Sequence, residues 1–181
     1  TEDDKFIYTQ RNQKEIDALN AMAYVNYWVI PEKLSIMAYG GLFRCFNFGY
    51  DYTHCYTSYF VAGSIDAYLG SFSISAYADN GSRFLEGETK GYNGGYSVLN
   101  ASYKYKNWQF SISWQQPLVK RYKMFQSEIL NKNLKKNIAL YSTDYSNMVS
   151  LKITWRIEKG RKYRSADKRI NLSDNDTGIM K

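Results

Sequence analysis

The stretch that decides the fold is Trp108-Gln109-Phe110-Ser111-Ile112-Ser113-Trp114-Gln115. Every even residue is large and apolar, and every odd one is Ser or Gln. Side chains of a β-strand point alternately to its two faces, so this segment has one apolar and one polar face. The apolar face carries Trp at both ends and Phe110 and Ile112 between them. Indole rings favour a boundary between an apolar and a wet medium. A strand lying in lipid, with an aromatic girdle at each interface, has this pattern.

The same rhythm recurs on both sides. Val149, Leu151, Ile153, Trp155 and Ile157 alternate with Ser150, Lys152, Thr154 and Arg156. Upstream, Leu99, Ala101 and Tyr103 alternate with Asn100, Ser102 and Lys104, and Phe72, Ile74, Ala76 and Ala78 with Ser71, Ser73, Ser75 and Tyr77. Strands are also predicted around Tyr59–Leu69, Leu34–Phe43 and Leu19–Trp28; the last has one apolar or aromatic face and one mixed, while the facing of Leu34–Phe43 is ambiguous. Counting these segments gives about seven strands, with Phe6–Gln10 read as the end of one more. The lipid-facing set is expected to include Trp108, Phe110, Ile112, Trp114, Val149, Leu151, Ile153 and Trp155.

Connections of two lengths separate the strands. Pro31-Glu32-Lys33, Gly70-Ser71 and Lys106-Asn107 are tight turns. They alternate with longer stretches beginning at Asn47, Asp79 and Gln116. Outer-membrane barrels combine short periplasmic turns with long extracellular loops. On that basis the fold is expected to be all-β: an antiparallel up-and-down transmembrane β-barrel, or the C-terminal strands of a larger one. Residues 1–15 form an N-terminal extracellular segment or the end of a preceding strand. Residues 16–157 hold the strands, and residues 158–181 form a polar periplasmic tail. The acidic start Thr1-Glu2-Asp3-Asp4 has no signal-peptide features, so an exported chain is expected here mature or as a piece starting mid-chain.

Composition agrees. Of 181 residues, 17% are aromatic, including 18 Tyr, and only 2 are Pro, which suits sheet. A mean hydropathy of −0.53 excludes a helical membrane protein, and no run approaches the roughly 20 apolar residues of a spanning helix. A barrel escapes that test because only alternate residues meet lipid. The net charge of +7 lies largely in the tail and one loop rather than in the strands, which argues against nucleic acid as partner.

The chain end resembles a known family. The strand Asn147–Ile157, the segment Glu158-Lys159-Gly160-Arg161-Lys162 and the tail Lys168–Ile179 look like the C-terminus of the outer-membrane β-barrel family related to TonB-dependent receptors, proteins of the Gram-negative cell envelope. The chain departs from that family in lacking a plug domain, a TonB box and most of the barrel. The resemblance implies cell outer-membrane localisation and a role in nutrient binding or uptake. It implies lipid and lipopolysaccharide as surroundings, with a surface lipoprotein or further upstream strands as partners. It supplies no catalytic residues and no cofactor. Two alternatives stand beside it: a small self-contained outer-membrane barrel with a structural or adhesion role, and a soluble lipocalin-like ligand-binding barrel with its apolar face inward.

Candidate sites are few. Tyr50, Tyr52, His54 and Tyr56 crowd the stretch Asn47–Tyr56, as ligand-contacting rings or as part of the aromatic girdle. Lys120, Arg121, Lys123, Lys132, Lys135 and Lys136 make the Gln116–Asn147 stretch basic, to meet lipopolysaccharide phosphate or simply to be solvated. A short helix is predicted over Phe125–Leu140, with Ile129, Leu130 and Leu134 on one face. Gly87–Gly95 lacks the Gly-Lys-Ser/Thr and strand-to-helix setting of a phosphate loop and reads as flexible surface. Asp174–Gly178 starts like a calcium loop but has no closing acid. Cys45 and Cys55 form a candidate disulfide in an oxidising exterior. Pairing Leu42 with Tyr59 places Cys45 opposite Tyr56 and Phe46 opposite Cys55, which argues against the bond. With one His and no paired-carboxylate or Ser/His/acid motif, no enzymatic activity is expected and no metal site is assigned.

If the apolar face meets lipid, Ile112→Arg or Ile153→Arg should cost about 2–4 kcal/mol of stability in vesicles. Ser111→Arg, on the opposite face, should cost far less. Denaturant unfolding of the lipid-reconstituted variants measures the difference, and equal costs on both faces would contradict the assignment.

Overall fold

The computed structural model describes residues 13–157. Among these, eleven strands form and no helix, so none is long and apolar enough to cross a membrane. The strands are β1 (Glu15–Ile30), β2 (Leu34–Phe48), β3 (Thr53–Leu69), β4 (Phe72–Asp79), β5 (Ser82–Glu86), β6 (Thr89–Asn93), β7 (Ser97–Tyr105), β8 (Trp108–Gln115), β9 (Tyr122–Ile129), β10 (Asn137–Ser142) and β11 (Met148–Trp155). Phe6–Gln10 and the tail with Asp174–Gly178 lie outside the described residues.

Two antiparallel sheets result. The larger is a seven-stranded meander in the order β1-β2-β3-β4-β7-β8-β11. The smaller has four strands in the order β10-β9-β6-β5 and is built from the two long connections of the first. The large sheet, called the wall below, does not close: β1 and β11 are its two edges, so the expected closed barrel is not formed by the described residues. All three tight turns fall where the sequence places them. Gly70, with φ +62°, and Lys106, with φ 51°, take left-handed backbone at the first position of two-residue turns.

Register is what makes the wall two-faced. Ala67, Ile74, Ala101, Ile112 and Leu151 pair in one continuous row across five strands. Asp66, Ser75, Asn100, Ser113 and Ser150 make the parallel row on the other face. The polar face satisfies itself: Ser73 and Ser102 hydroxyls meet at 2.7 Å, and Asn100 Nδ2 donates to Ser75 Oγ at 3.2 Å. The apolar face is bare, with Leu151 79% and Ile153 66% exposed.

The strands differ in length. β4, β7, β8 and β11 have 8–9 residues, while β1, β2 and β3 have 15–17. A tilted strand crosses a bilayer in about 9–11 residues. The β3–β4 ladder ends at the pair Ala62–Asp79, so the outer half of β3 and the facing parts of β1 and β2 project beyond the other four strands. The expected Tyr-rich loop Asn47–Tyr56 is therefore mostly strand, and only residues 49–52 turn the chain. Strict alternation of short and long connections fails there, because the period-2 pairing continues through Phe48–Thr53.

The other long stretches also differ from expectation. Residues 79–95 hold the β5–β6 hairpin rather than a flexible loop, and Phe125–Leu140 holds parts of β9 and β10 in place of the predicted helix. The free edge of β6 pairs with β9, which outweighs the weak helical spacing of Ile129, Leu130 and Leu134. Asn80 N still bonds Val61 O at 3.0 Å, continuing the wall, and Gly81 with φ +75° then swings the chain into β5.

A Cβ at Gly81 would run into the Asn93 carbonyl, whereas one at Gly70 would meet nothing within 4 Å. Gly70→Ala should therefore cost only the left-handed backbone penalty, about 1–2 kcal/mol. Gly81→Ala should cost clearly more and release β5–β6. Guanidinium unfolding compares the two, and equal losses would rule out Gly81 as the swivel.

Candidate functional site

The small sheet settles on the polar face of the wall. Side chains of the projecting β2–β3 hairpin alternate in burial: Ser58 and Ala62 are buried, while Tyr59 and Val61 between them are 58% and 56% exposed. Cys45 and Asn47 are buried on the same polar face. Asn47 is the clasp. Its Nδ2 donates to the carbonyls of Gly87 at 3.1 Å and Leu85 at 3.3 Å, and Leu85 itself is buried.

The exits of the two long connections are tied together as well. Gln116, buried, donates from Nε2 to Gly95 O at 2.9 Å and accepts at Oε1 from Ser97 Oγ at 3.1 Å. Its carbonyl accepts from Asn147 N at 3.1 Å, so one residue joins the ends of β7, β8 and β11. Tyr122 donates its hydroxyl to Gly94 O at 3.1 Å. Burial, helped by the Asp79 carboxylate, holds that phenol above its ordinary range.

Between β3 and the small sheet lies a recess of about 430 Å³. Arg83, Lys90, Tyr92, Lys123, Gln126 and Glu128 line it, with Gly91 behind and Tyr56 reaching in from β3. Local pairing explains the convergence. Arg83 pairs with Tyr92 and Tyr92 with Gln126; Leu85 pairs with Lys90 and Lys90 with Glu128. These residues therefore share one face of the small sheet. Lys123 joins them through an irregularity. β10 pairs Leu140 with Phe125 but Tyr141 with Lys123, skipping Met124. A bulge of this kind re-aims the side chain beside it, and Lys123 Nζ donates to Gln126 Oε1 at 2.8 Å.

Aromatic rings hold the cations. Arg83 lies 4.9 Å from the Tyr92 ring centre and 5.4 Å from that of Tyr59, and Lys90 lies 4.9 Å from that of Tyr56. Burial raises the Tyr56 phenol, with Arg83 opposing, so it is a neutral donor at physiological pH. Among the described residues, no carboxylate lies within ion-pair distance of Arg83, Lys90 or Lys123.

The residues singled out from sequence scatter. Of the tyrosine set, Tyr56 alone lines the recess. Tyr50 is exposed in the turn, and Tyr52 stacks on His54 at 5.1 Å. His54 Nε2 lies 3.9 Å from Glu88 Oε1. Of the basic set, Lys123 enters the recess; Arg121 stacks on Tyr141 at 4.1 Å; Lys120, Lys132, Lys135 and Lys136 are exposed. Arg83, Lys90, Tyr92, Gln126 and Glu128 were not legible as a site, because sheet pairing between two distant connections brings them together. Cys45 and Cys55 are free thiols. Cys45 pairs with Tyr56, so Cys55, one residue away, points to the opposite face. Trp108, Phe110, Ile112, Trp114, Val149, Leu151, Ile153 and Trp155 all share the apolar face. Among the described residues, no group of three or more His, Cys, Asp or Glu is placed to hold a metal ion.

Comparison with protein-family models, curated proteins and solved structures finds no match for the chain.

Asn47→Ala removes both bonds of the clasp and leaves two carbonyls without their donor, which should cost about 1–3 kcal/mol. Hydrogen exchange should quicken in β5 and β6 and stay slow in β7, β8 and β11. Uniform quickening would show that Asn47 supports the wall rather than the attachment.

Proposed function

We propose that this chain is one wall of an outer-membrane β-barrel, the C-terminal part of a TonB-dependent-receptor-like protein that binds or takes up a nutrient. In this reading the apolar face meets lipid, the polar face lines the lumen, and the small sheet folds over the mouth on the outer side. The short turns then lie in the periplasm, and lipopolysaccharide surrounds the projecting outer half.

One observation carries the reading. The small sheet lies against the polar face where β2 and β3 project, and it leaves the apolar face bare on all seven described strands. In a soluble sandwich or lipocalin-like barrel the second layer would cover the apolar side. Each exposed Leu, Ile, Val or Phe would gain roughly 1.5–3 kcal/mol on leaving water. Leu69, Phe72, Ile74, Phe110, Ile112, Leu151 and Ile153 are all exposed, so the sum rivals the roughly 5–15 kcal/mol net stability of an ordinary domain.

The two open edges support a larger assembly. Backbone groups in hydrocarbon need internal partners, which a sheet supplies only by closing. Among the described residues β1 and β11 each present a free edge, which in this reading further barrel strands would pair. Stacked Trp108 and Trp155, with ring centres 5.4 Å apart near the short-turn end, suit an interfacial girdle.

The test uses the chain's own tryptophans. Trp108, Trp114 and Trp155 lie on the apolar face, and Trp28 pairs with Ser35 on the polar one. In vesicles containing brominated lipid, fluorescence should be strongly quenched, and Trp28→Phe should leave the intensity lost to quenching nearly unchanged while raising the quenched fraction. Recovery of the chain as a folded, soluble, unquenched monomer would sink the proposal.

A further inference from the structure

We propose that the recess beneath the small sheet binds the phosphate group of a small anionic ligand, with Arg83, Lys90 and Lys123 as its cationic contacts. The argument starts from charge. Three cations and one carboxylate, Glu128, line the recess, which leaves two positive charges in excess. A phosphomonoester near neutral pH carries about −1.5 to −2, which matches that excess. Like charges gathered around one cavity repel unless something compensates them. Here no carboxylate among the described residues pairs with the three cations. Ring faces, the Tyr59 carbonyl, which accepts from Arg83 Nη1 at 3.4 Å, and one amide oxygen hold them in place instead.

The positioning is built rather than incidental. Arg83, Lys90 and Lys123 come from three adjacent strands, and Lys123 reaches the recess only through the bulge at Met124. Cation–π contacts fix an Arg or Lys head without neutralising it, so the charge remains available to a ligand. Arg83 offers a planar fork suited to two phosphate oxygens, and Lys90 and Lys123 offer point charges. The Tyr56 phenol, protonated and aimed into the recess, adds a neutral donor. The volume of about 430 Å³ lies within the roughly 300–1,000 Å³ of small-molecule sites, so a phosphorylated sugar-sized ligand fits the scale.

Two sources present this chemistry outside the cell: a free phosphate or sugar phosphate, and the phosphate of a neighbouring lipopolysaccharide. The site stands on the small sheet and the projecting half of β3 alone. Lipid quenching and phosphate binding therefore fail independently of one another.

The experiment is calorimetric titration of the full 181-residue chain, folded in detergent micelles, with inorganic phosphate and with glucose 6-phosphate, glucose serving as the uncharged control. A second arm measures association with lipopolysaccharide in nanodiscs before and after enzymatic dephosphorylation. Saturable binding of the free anions, or binding of lipopolysaccharide that is lost on dephosphorylation, supports the proposal and tells the sources apart. Lys90→Gln and Lys123→Gln should each weaken binding roughly tenfold or more, the loss expected for one charge-assisted contact. Lys135→Gln and Lys136→Gln, in the exposed turn after β9, should change it less than about twofold, since exposed charges at a distance are screened. Glu128→Gln should strengthen it, a gain that misfolding cannot imitate. Absence of saturable binding in both arms overturns the proposal. So does an equal loss from the recess and turn lysines, which would mean diffuse attraction.

Discussion

Backbone pairing in a single register is the constraint on which the rest of this protein depends. Across β3, β4, β7, β8 and β11, the apolar row Ala67–Leu151 and the polar row Asp66–Ser150 each stay in line. A slip of one residue in one of these ladders would move that strand's apolar residues to the side of the Ser and Asn row. The tight turns at Gly70 and Lys106 help to set this register, because a two-residue connection leaves the chain no slack. The apolar face follows from the register, and so does the polar face on which the second sheet can settle.

The attachment of that second sheet is a polar matter. Its contact with the β2–β3 hairpin centres on Asn47, fully buried and bonded to two carbonyls of the opposing hairpin. A wall that used its apolar face for internal packing would place Leu, Val or Ile at such a point. Gln116 has the equivalent role at the far side, binding together the chain where it leaves and re-enters the wall. Both amides donate to main-chain carbonyls at or just beyond strand ends, which seats buried backbone without leaving it unbonded.

The recess is a product of this arrangement. The connections 79–95 and 116–147 are far apart in the chain, yet β6 pairs with β9, and their basic side chains meet. Within β9, which carries Lys123, the β10 ladder skips one residue, Met124. Phe84 lies flat over Gly91 in the same sheet, where a Cβ would collide with the ring. Small local devices of this kind decide which charges share a cavity.

Alternation alone determined the strands of the wall, three tight turns, the pairing of Cys45 with Tyr56 and the apolar faces of strands such as β8 and β11, because a period of two is written residue by residue; the facing of β2 followed only from its pairing with β3. It did not determine how far β2 and β3 run, since Tyr and Gly between Asn47 and Tyr56 suit a loop as well as a strand. Phe125–Leu140 reads as a weak helix in isolation and becomes strand because the edge of β6 offers backbone partners. The basic residues of the second long connection were visible, but only Lys123 enters the recess. Arg83 and Lys90, from the other connection, complete it. Composition marks a stretch as charged; only tertiary pairing, which joins hydrogen-bonding edges across long chain separations, chooses which of those charges converge.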